Sequence, residues 1–534
     1  MTTKMMTAFS MGLALSMTAV GAAEAKDVVL KSRDGQQVMR GELISADNGE
    51  YKISMAIGVF SFSQDEMICE GNACPEYIDF KYDLEMAGVA EVVEQLVPII
   101  LDGYANNLDA EANALDETGT LIADLSAAAA TRKAGGSLSV EVMSYEGEQL
   151  ALFGLKETED HDAFAMLANN EVPIVFTDRE PYKAEREAVA AAGGGKLKSV
   201  GQERVIAVEG LAVVVHPDNP IPSITMSEIA DVLAGRITNW VDLGGPNMPI
   251  NLYSFEEDTE AFHPVRIALL DPYKLSNLTF DANIVLSIGE LTTAVTRDIA
   301  SFAVVPYSSK RGTRALPVAH DCGIVVEPTP AAMKAEEYPL QLRIYAFNRP
   351  EVDGYARQVL DFLDGPDLDG MVNKAGFVDL SVETEGTERE LHRLQEDMAK
   401  TEDPYELDFM KRLERELSGV ERLTTVFRFA PGSNRLLTKS VRDVERAIEY
   451  IGEHKPRRVI FAGFTDGRGG FEPNIHISEE RAASMMETIL AEAKNGEFDG
   501  VEVSSMGFGE LDPVACNDKF SGRAINRRVE IWVQ

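Results

Sequence analysis

Two charged residues near the end of the chain have the types and spacing best suited to chemistry. Asp466 follows the short apolar run 459–464 and opens the segment Gly467-Arg468-Gly469-Gly470. An apolar run closed by glycines reads as a buried strand ending in a loop. Arg481 follows Ser478-Glu479-Glu480; Ser478 suits a helix N-cap, and the two acids suit the positive end of the helix dipole. A cation three positions into that helix works against the dipole. A residue that breaks a local rule beside a strand-end carboxylate marks a candidate functional site. One carboxylate and one guanidinium at the mouth of a strand–loop–helix unit suit a zwitterionic ligand, whose carboxylate the guanidinium takes bidentately. The spacing alone equally allows the two residues to pair with each other at the surface, a contact worth little.

The surrounding residues favour the first reading. FRFAPGSNRL near Phe427, GFTDGRGG, the N-x-x-x-S-x-x-RA run from Asn474 to Ala482, MGFGELDPVACND and the closing GRAINRRVEIWV occur in order. With these five motifs the run 424–534 resembles the OmpA-like C-terminal domain, which binds peptidoglycan. In that family the aspartate of the TD pair and the arginine of the RA pair hold the diaminopimelate side chain of the stem peptide. The resemblance puts these roles on Asp466 and Arg481, and it implies that Thr465, Asn474 and Arg527 share the site.

The elements that must carry this site belong to a chain of 534 residues with 45% hydrophobic and 26% charged residues, room for about three domains. The net charge of -38 argues against nucleic acid or an anionic membrane surface as partner. Residues 1–25 read as a secretory signal, with Lys4, an apolar stretch over 8–20 and Ala23-Glu24-Ala25 as the cleavage site. That stretch is too short for a transmembrane span, and no later run approaches one. The mature protein is expected to be exported to the periplasm of a Gram-negative bacterium, against peptidoglycan and the outer membrane.

Residues 26–83 hold alternating segments (VVLKS, GQQVMRGELIS, YKISMAIGVFSF) punctuated by Gly35, Asn48-Gly49 and Gly58, the pattern of a small antiparallel β-rich domain. Four cysteines occur. In an oxidising compartment Cys69 and Cys74 suit a short disulfide loop; the alternative, a metal site, lacks further ligands nearby. Cys322 and Cys516 fall in different expected domains and are not expected to pair. No metal and no cofactor is implied.

Over 84–380, strand-like runs (PIVFTD, LAVVVHP, IASFAVVPY, LRIYAFN) alternate with helical stretches such as 359–374. This reads as α/β, with largely parallel sheets and two lobes. VIAVEGLAVVVHPDNPIPSIT from Val205, ADVLAGRITNWVDLGGPNMPI from Ala230 and VNKAGFVDL resemble the phosphate-type (PstS-like) periplasmic substrate-binding proteins of ABC transporters. LAGRITNW is the most specific piece. The family holds its oxyanion with Ser, Thr and backbone amides at helix starts. Here the corresponding positions carry Met86-Ala87-Gly88-Val89-Ala90-Glu91 and Ser254-Phe255-Glu256-Glu257-Asp258-Thr259. Acids in an oxyanion pocket repel the ligand. Ser144, Thr177, Arg179 and Thr259 remain as candidate ligand contacts, with a changed ligand or a platform for an envelope protein as the alternatives to phosphate.

Gly193-Gly194-Gly195-Lys196 lacks the spacing and hydroxyl of a P-loop, and no nucleophile–base signature occurs, so no enzyme activity is expected. Residues 381–420 are charged, with Leu391, Leu394, Met398, Leu407, Met410, Leu413 and Leu417 at helical spacing interrupted by Pro404. They read as two short helices that link or pack the domains. The expected architecture is therefore multidomain: the β unit, a two-lobed α/β binding-protein-like domain (84–380), the helical linker (381–420) and an α+β OmpA-like domain (421–534). The expected function is a non-catalytic wall-binding protein; the alternative is a wall-tethered receptor delivering a small anion to an ABC transporter.

Overall fold

The computed structural model describes residues 27–32, 37–47, 50–55, 57–63, 67–71, 73–74, 80–115, 119, 121–122, 137–257, 259–429 and 438–534. The expected secretory signal lies outside them. The chain divides into two compact units between Ile78 and Asp79. The first is a five-stranded sheet of Asp27–Ser32, Val38–Asp47, Glu50–Met55, Gly58–Ser63 and Met67–Glu70, with the first strand between the second and the fifth. All its pairings are antiparallel. Alternation puts Val28, Leu30, Leu43, Tyr51, Ile53 and Met67 into one small core. Cys69 and Cys74 are bonded to each other.

The second unit opens with a twelve-stranded sheet. Its organising strands are β1 (Leu84–Gly88), β2 (Ile174–Thr177), β3 (Glu203–Val215), β4 (Ser301–Pro306) and β5 (Gln341–Asn348). The sheet is mixed rather than largely parallel. β1 runs parallel to β2 and to Gln149–Glu157, but β5 is antiparallel to both β2 and β3, and β3 is antiparallel to β4. The apolar runs could not reveal direction, because strands buried on both faces look the same either way. In β5, Ile344 and Ala346 enter one core while Tyr345 and Phe347 enter the other. β3 links the two ends of the sheet: residues 203–210 pair with β5, and 211–215 pair with β4. The helix expected over 359–374 is two helices, Gly354–Leu363 and Leu368–Ala375, broken at Gly365-Pro366, where the ring removes a donor and restricts its predecessor.

Beyond a small three-stranded sheet of Ile224–Thr225, Val318–Ala319 and Val325–Val326, the remainder builds a five-stranded C-terminal sheet from Thr384–Gly386, β6 (Glu421–Arg428), β7 (Arg458–Gly463), β8 (Glu502–Gly507) and β9 (Arg528–Val533), with β9 between β6 and β7. Helices α1 (Glu388–Met398) and α2 (Pro404–Leu417) lie on one face. There Leu394, Met410, Leu413 and Leu417 pack with Ile460, Ala462 and Trp532. Helices α3 (Thr438–His454) and α4 (Phe471–Glu492) cover the other through Val444, Ile451, Ala482 and Met485. Four of the periodic residues of 381–420, Leu394, Met410, Leu413 and Leu417, are thus buried against the C-terminal sheet. A short helix, Phe520–Asn526, precedes β9.

Within this unit the twelve-stranded and C-terminal sheets are joined by buried charge. The guanidinium of Arg422, 2% exposed, donates to Glu337 at 2.5 Å, Glu385 at 3.1 Å and Glu530 at 3.4 Å. Arg428, also buried, reaches Glu336 at 2.9 Å; at more exposed positions Lys519 pairs with Asp321 at 2.9 Å, and Arg442 and the buried Arg204 share the less buried Asp364. Cys322 and Cys516, expected not to pair, form a disulfide with Cα atoms 5.8 Å apart. Their separation of 194 residues hid a contact that exists only because the domains dock.

Candidate functional site

β7 ends at Gly463, and both it and Gly507 at the end of β8 are required by close packing of α4. A Cβ on Gly463 would lie 2.1 Å from the Ser478 carbonyl oxygen, and one on Gly507 would lie 2.4 Å from the Glu479 amide nitrogen. Helix α4 begins at Phe471, so Ser478 is not an N-cap. It sits fully buried inside the helix, donating to the Ile475 carbonyl at 2.7 Å and accepting from the Gly509 amide at 2.9 Å. Pro473 falls in the first turn, where its missing N–H has no intrahelical partner to lose. Arg481 is therefore held in mid-helix by packing, and the dipole argument does not apply to it.

The loop after β7 and the start of β9 bring the expected C-terminal residues together. Asp466 Oδ2 accepts from Arg527 Nη1 at 2.7 Å, and Oδ1 accepts from the Arg468 amide at 3.1 Å. The carboxylate thus pairs with Arg527, not with Arg481. Asn474 donates to Glu510 at 2.5 Å and faces the Asp466 carbonyl at 3.4 Å; the part played by Glu510 carried no sequence signal. Arg481 lies with its guanidinium carbon 5.7 Å from the Phe429 ring centroid. Burial lowers its pKa; Arg527 lowers it further, and Asp466 only partly offsets this.

Arg481 and Arg527 are 6% and 7% exposed. Arg481 Nε, Arg527 Nε and Nη2, and Thr465 Oγ1 have no hydrogen-bond partner. Buried unpaired donors are costly, about 1–3 kcal/mol each and more when charged. Two guanidiniums facing one carboxylate leave one positive charge unanswered. The arrangement suits a ligand carboxylate taken by the arginines, with any ammonium on that ligand directed to Asp466.

The four candidate contacts of the middle domain are engaged locally. Ser144 accepts from the Glu148 amide at 3.1 Å, Thr177 donates to the Arg179 carbonyl at 2.9 Å, and Thr259 donates to the Glu256 carbonyl at 2.7 Å. Arg179 forms a two-pronged pair with Glu185 at 2.8 and 2.9 Å and a third contact to Asp160 at 3.1 Å. Glu257 pairs with Arg266 at 2.8 Å, and Glu256 is exposed. Asp258 lies outside the described residues. Glu91 after β1, in the segment the sequence had marked, is joined by two acids that sequence reasoning missed: Asp178 after β2 and Glu209 inside β3. Burial, then Glu209 and Asp178, push the Glu91 carboxyl well above its usual range. Burial alone raises Glu209 to about 7, against the hydrogen bonds it accepts.

Among known proteins, residues 116–262 match the PBP superfamily domain. The phosphate-binding protein PstS of Bacillus subtilis is 27% identical over 177 residues, 32% of this chain and 56% of that protein. Motility protein B of the same organism is 37% identical over 82 residues, 15% of this chain and 30% of that protein. The peptidoglycan-binding protein ArfA of Mycobacterium bovis is 37% identical over 76 residues, 14% of this chain and 22% of that protein. The chain spans less than two thirds of the length of each. It joins a PstS-like binding-protein domain to a C-terminal region similar to OmpA-like proteins. Among the described residues no helix is long and apolar enough to cross a membrane.

Proposed function

We propose that this chain is a non-catalytic cell-envelope protein that binds peptidoglycan through Thr465, Asp466, Asn474, Arg481 and Arg527. The diaminopimelate of the stem peptide supplies the carboxylate and ammonium that this site lacks. The observation that carries the reading is the set of buried, unpartnered donors on Arg481, Arg527 and Thr465 around a single carboxylate. The name of the ArfA relative supports it. Periplasmic placement, against the wall and outer membrane, follows from the same reading.

The test is co-sedimentation of the full chain with diaminopimelate-type sacculi. Asp466→Ala and Arg481→Ala should each weaken binding by at least about 1.5 kcal/mol, roughly tenfold. A double variant that sediments like the parent would sink the assignment. A second reading, a wall-tethered solute receptor for an ABC transporter, is favoured by the PstS relative and the binding-protein sheet. It adds a small-molecule ligand for the middle domain to the same wall anchor.

A further inference from the structure

The middle domain carries a second group of unanswered polar atoms, opposite in sign to the first. β1 and β2 are neighbouring parallel strands, with Gly88 opposite Phe176, so Glu91 and Asp178 follow adjacent C-terminal strand ends. Open α/β sheets bind ligands outside such ends. Glu209 stands where β3 leaves β5 and passes to β4, the crossover between the two ends of the sheet. It is 2% exposed. Its Oε1 accepts from the Gly210 amide at 2.9 Å and the Ser308 amide at 3.2 Å, while its Oε2 has no partner. Glu91 Oε1 is likewise buried and unpartnered, and the buried Ser308 Oγ lies against the Glu209 carboxylate with its acceptor capacity unused.

We infer that this crossover site binds a small organic molecule through a primary ammonium group, with Glu209 Oε2, Glu91 Oε1 and Ser308 Oγ accepting its three N–H bonds. The inference rests on reading the middle domain as a solute-binding domain, and it specifies the solute class. Three observations separate an ammonium from the alternatives. An oxyanion such as hydrogen phosphate would add negative charge beside Asp178 and Glu209 and bring a single O–H donor, where a primary ammonium brings three donors and a positive charge. Among the described residues no three acidic, His or Cys side chains are grouped to hold a metal ion. The cations nearby do not answer the acids: Arg179 is committed to Glu185 and Asp160, and the Lys310 ammonium lies 3.2 Å from the Tyr307 ring centroid. Lys310 is nonetheless close enough to Glu209 to interact with it. Glu91, Asp178, Glu209, Asp160, Tyr307 and Lys310 are therefore the titratable groups around the site.

The experiment is calorimetric titration of the full, oxidised chain at pH 7.5 with putrescine, spermidine, L-lysine, choline and inorganic phosphate. At least one primary amine should give saturable binding, about tenfold or more weaker in Glu209→Gln and in Glu91→Gln. Choline, which has no N–H, should bind weakly by comparison. Glu209→Gln keeps the side-chain shape and removes repulsion, so its melting temperature should equal or exceed the parent's; this separates loss of the site from loss of the fold. Saturable phosphate binding, no binding of any amine, or amine binding indifferent to both substitutions would each overturn the inference. Co-sedimentation of Glu209→Gln with sacculi should match the parent. Failure here and failure of the wall-binding reading are thus seen in different assays.

Discussion

Replacing Arg422 with methionine removes one charge from the contact between the binding-protein-like sheet and the C-terminal sheet while keeping most of the side-chain volume. Three carboxylates lose a partner, and they are not equally exposed to the loss. Glu385 is 21% exposed and keeps Arg389 at 2.5 Å. Glu530 keeps Arg528 Nε at 2.6 Å and Trp532 Nε1 at 2.8 Å. Glu337 is 5% exposed, and both of its carboxylate oxygens are held by Arg422, at 2.5 and 3.3 Å. The penalty therefore falls on Glu337, one buried carboxylate without a hydrogen-bonded counter-charge, and should be about 3–5 kcal/mol at pH 7. Glu337→Gln in the same chain removes that charge and should restore most of the loss. Calorimetric and urea unfolding of the parent, the single and the double variant measure both steps. Because the chain has more than one domain, the transition that moves should be the one in which the two sheets separate. An Arg422→Met variant within about 1 kcal/mol of the parent, or a double variant no better than the single, would refute the reasoning.

The charge arrangement also bounds stability against pH from both sides. Glu530 is lowered to about 2 by Arg528 and Arg422 against its burial, and Glu337 and Asp379 are also lowered. Their contribution is complete above the unfolded carboxylate range and is lost as pH falls from about 4.5 towards 2. Burial raises Glu209 to about 7 and Asp160 to about 8, and a raised acid favours folding only while protonated, so stability should decline as pH rises from about 5 to 8. Melting temperatures across pH 3–9 should therefore peak between about 4.5 and 6; a maximum above 8 contradicts this. Cys322→Ser with Cys516→Ser opens a 194-residue loop, worth at most about 5 kcal/mol of chain entropy, and should lower the melting temperature; full alkylation of both thiols without reductant would contradict the pairing. Gly463→Ala would force the Ser478 backbone away from β7, so it should lower both stability and sacculus binding, measured by melting and co-sedimentation.

Much of the candidate C-terminal site was legible in the sequence because its residues sit at fixed distances from local signals. Asp466 follows a strand closed by glycines, Asn474 and Arg481 share one helix, and Arg527 precedes a short apolar strand. The leucine spacing of 381–420 likewise announced two helices, and alternation announced the N-terminal sheet. What local pattern does not encode is who faces whom across the fold. It left Arg481 open as a partner of Asp466 where the structure has Arg527, and it put a helix start at Ser478 where packing carries α4 back to Phe471. It gave the middle strands but not their directions, since burial on both faces erases the alternation that would orient them.

The contacts that tertiary structure alone decided are the long-range ones. Cys322 meets Cys516, Arg422 meets Glu337, and Glu91 comes within electrostatic reach of Glu209 and Asp178. Composition fixed that this chain is acidic, and motif order fixed which kinds of domain it contains. Where that acidity is buried was decided by strand order. A charge becomes informative when folding removes the water around it, and which charges lose their water depends on the neighbours the fold supplies.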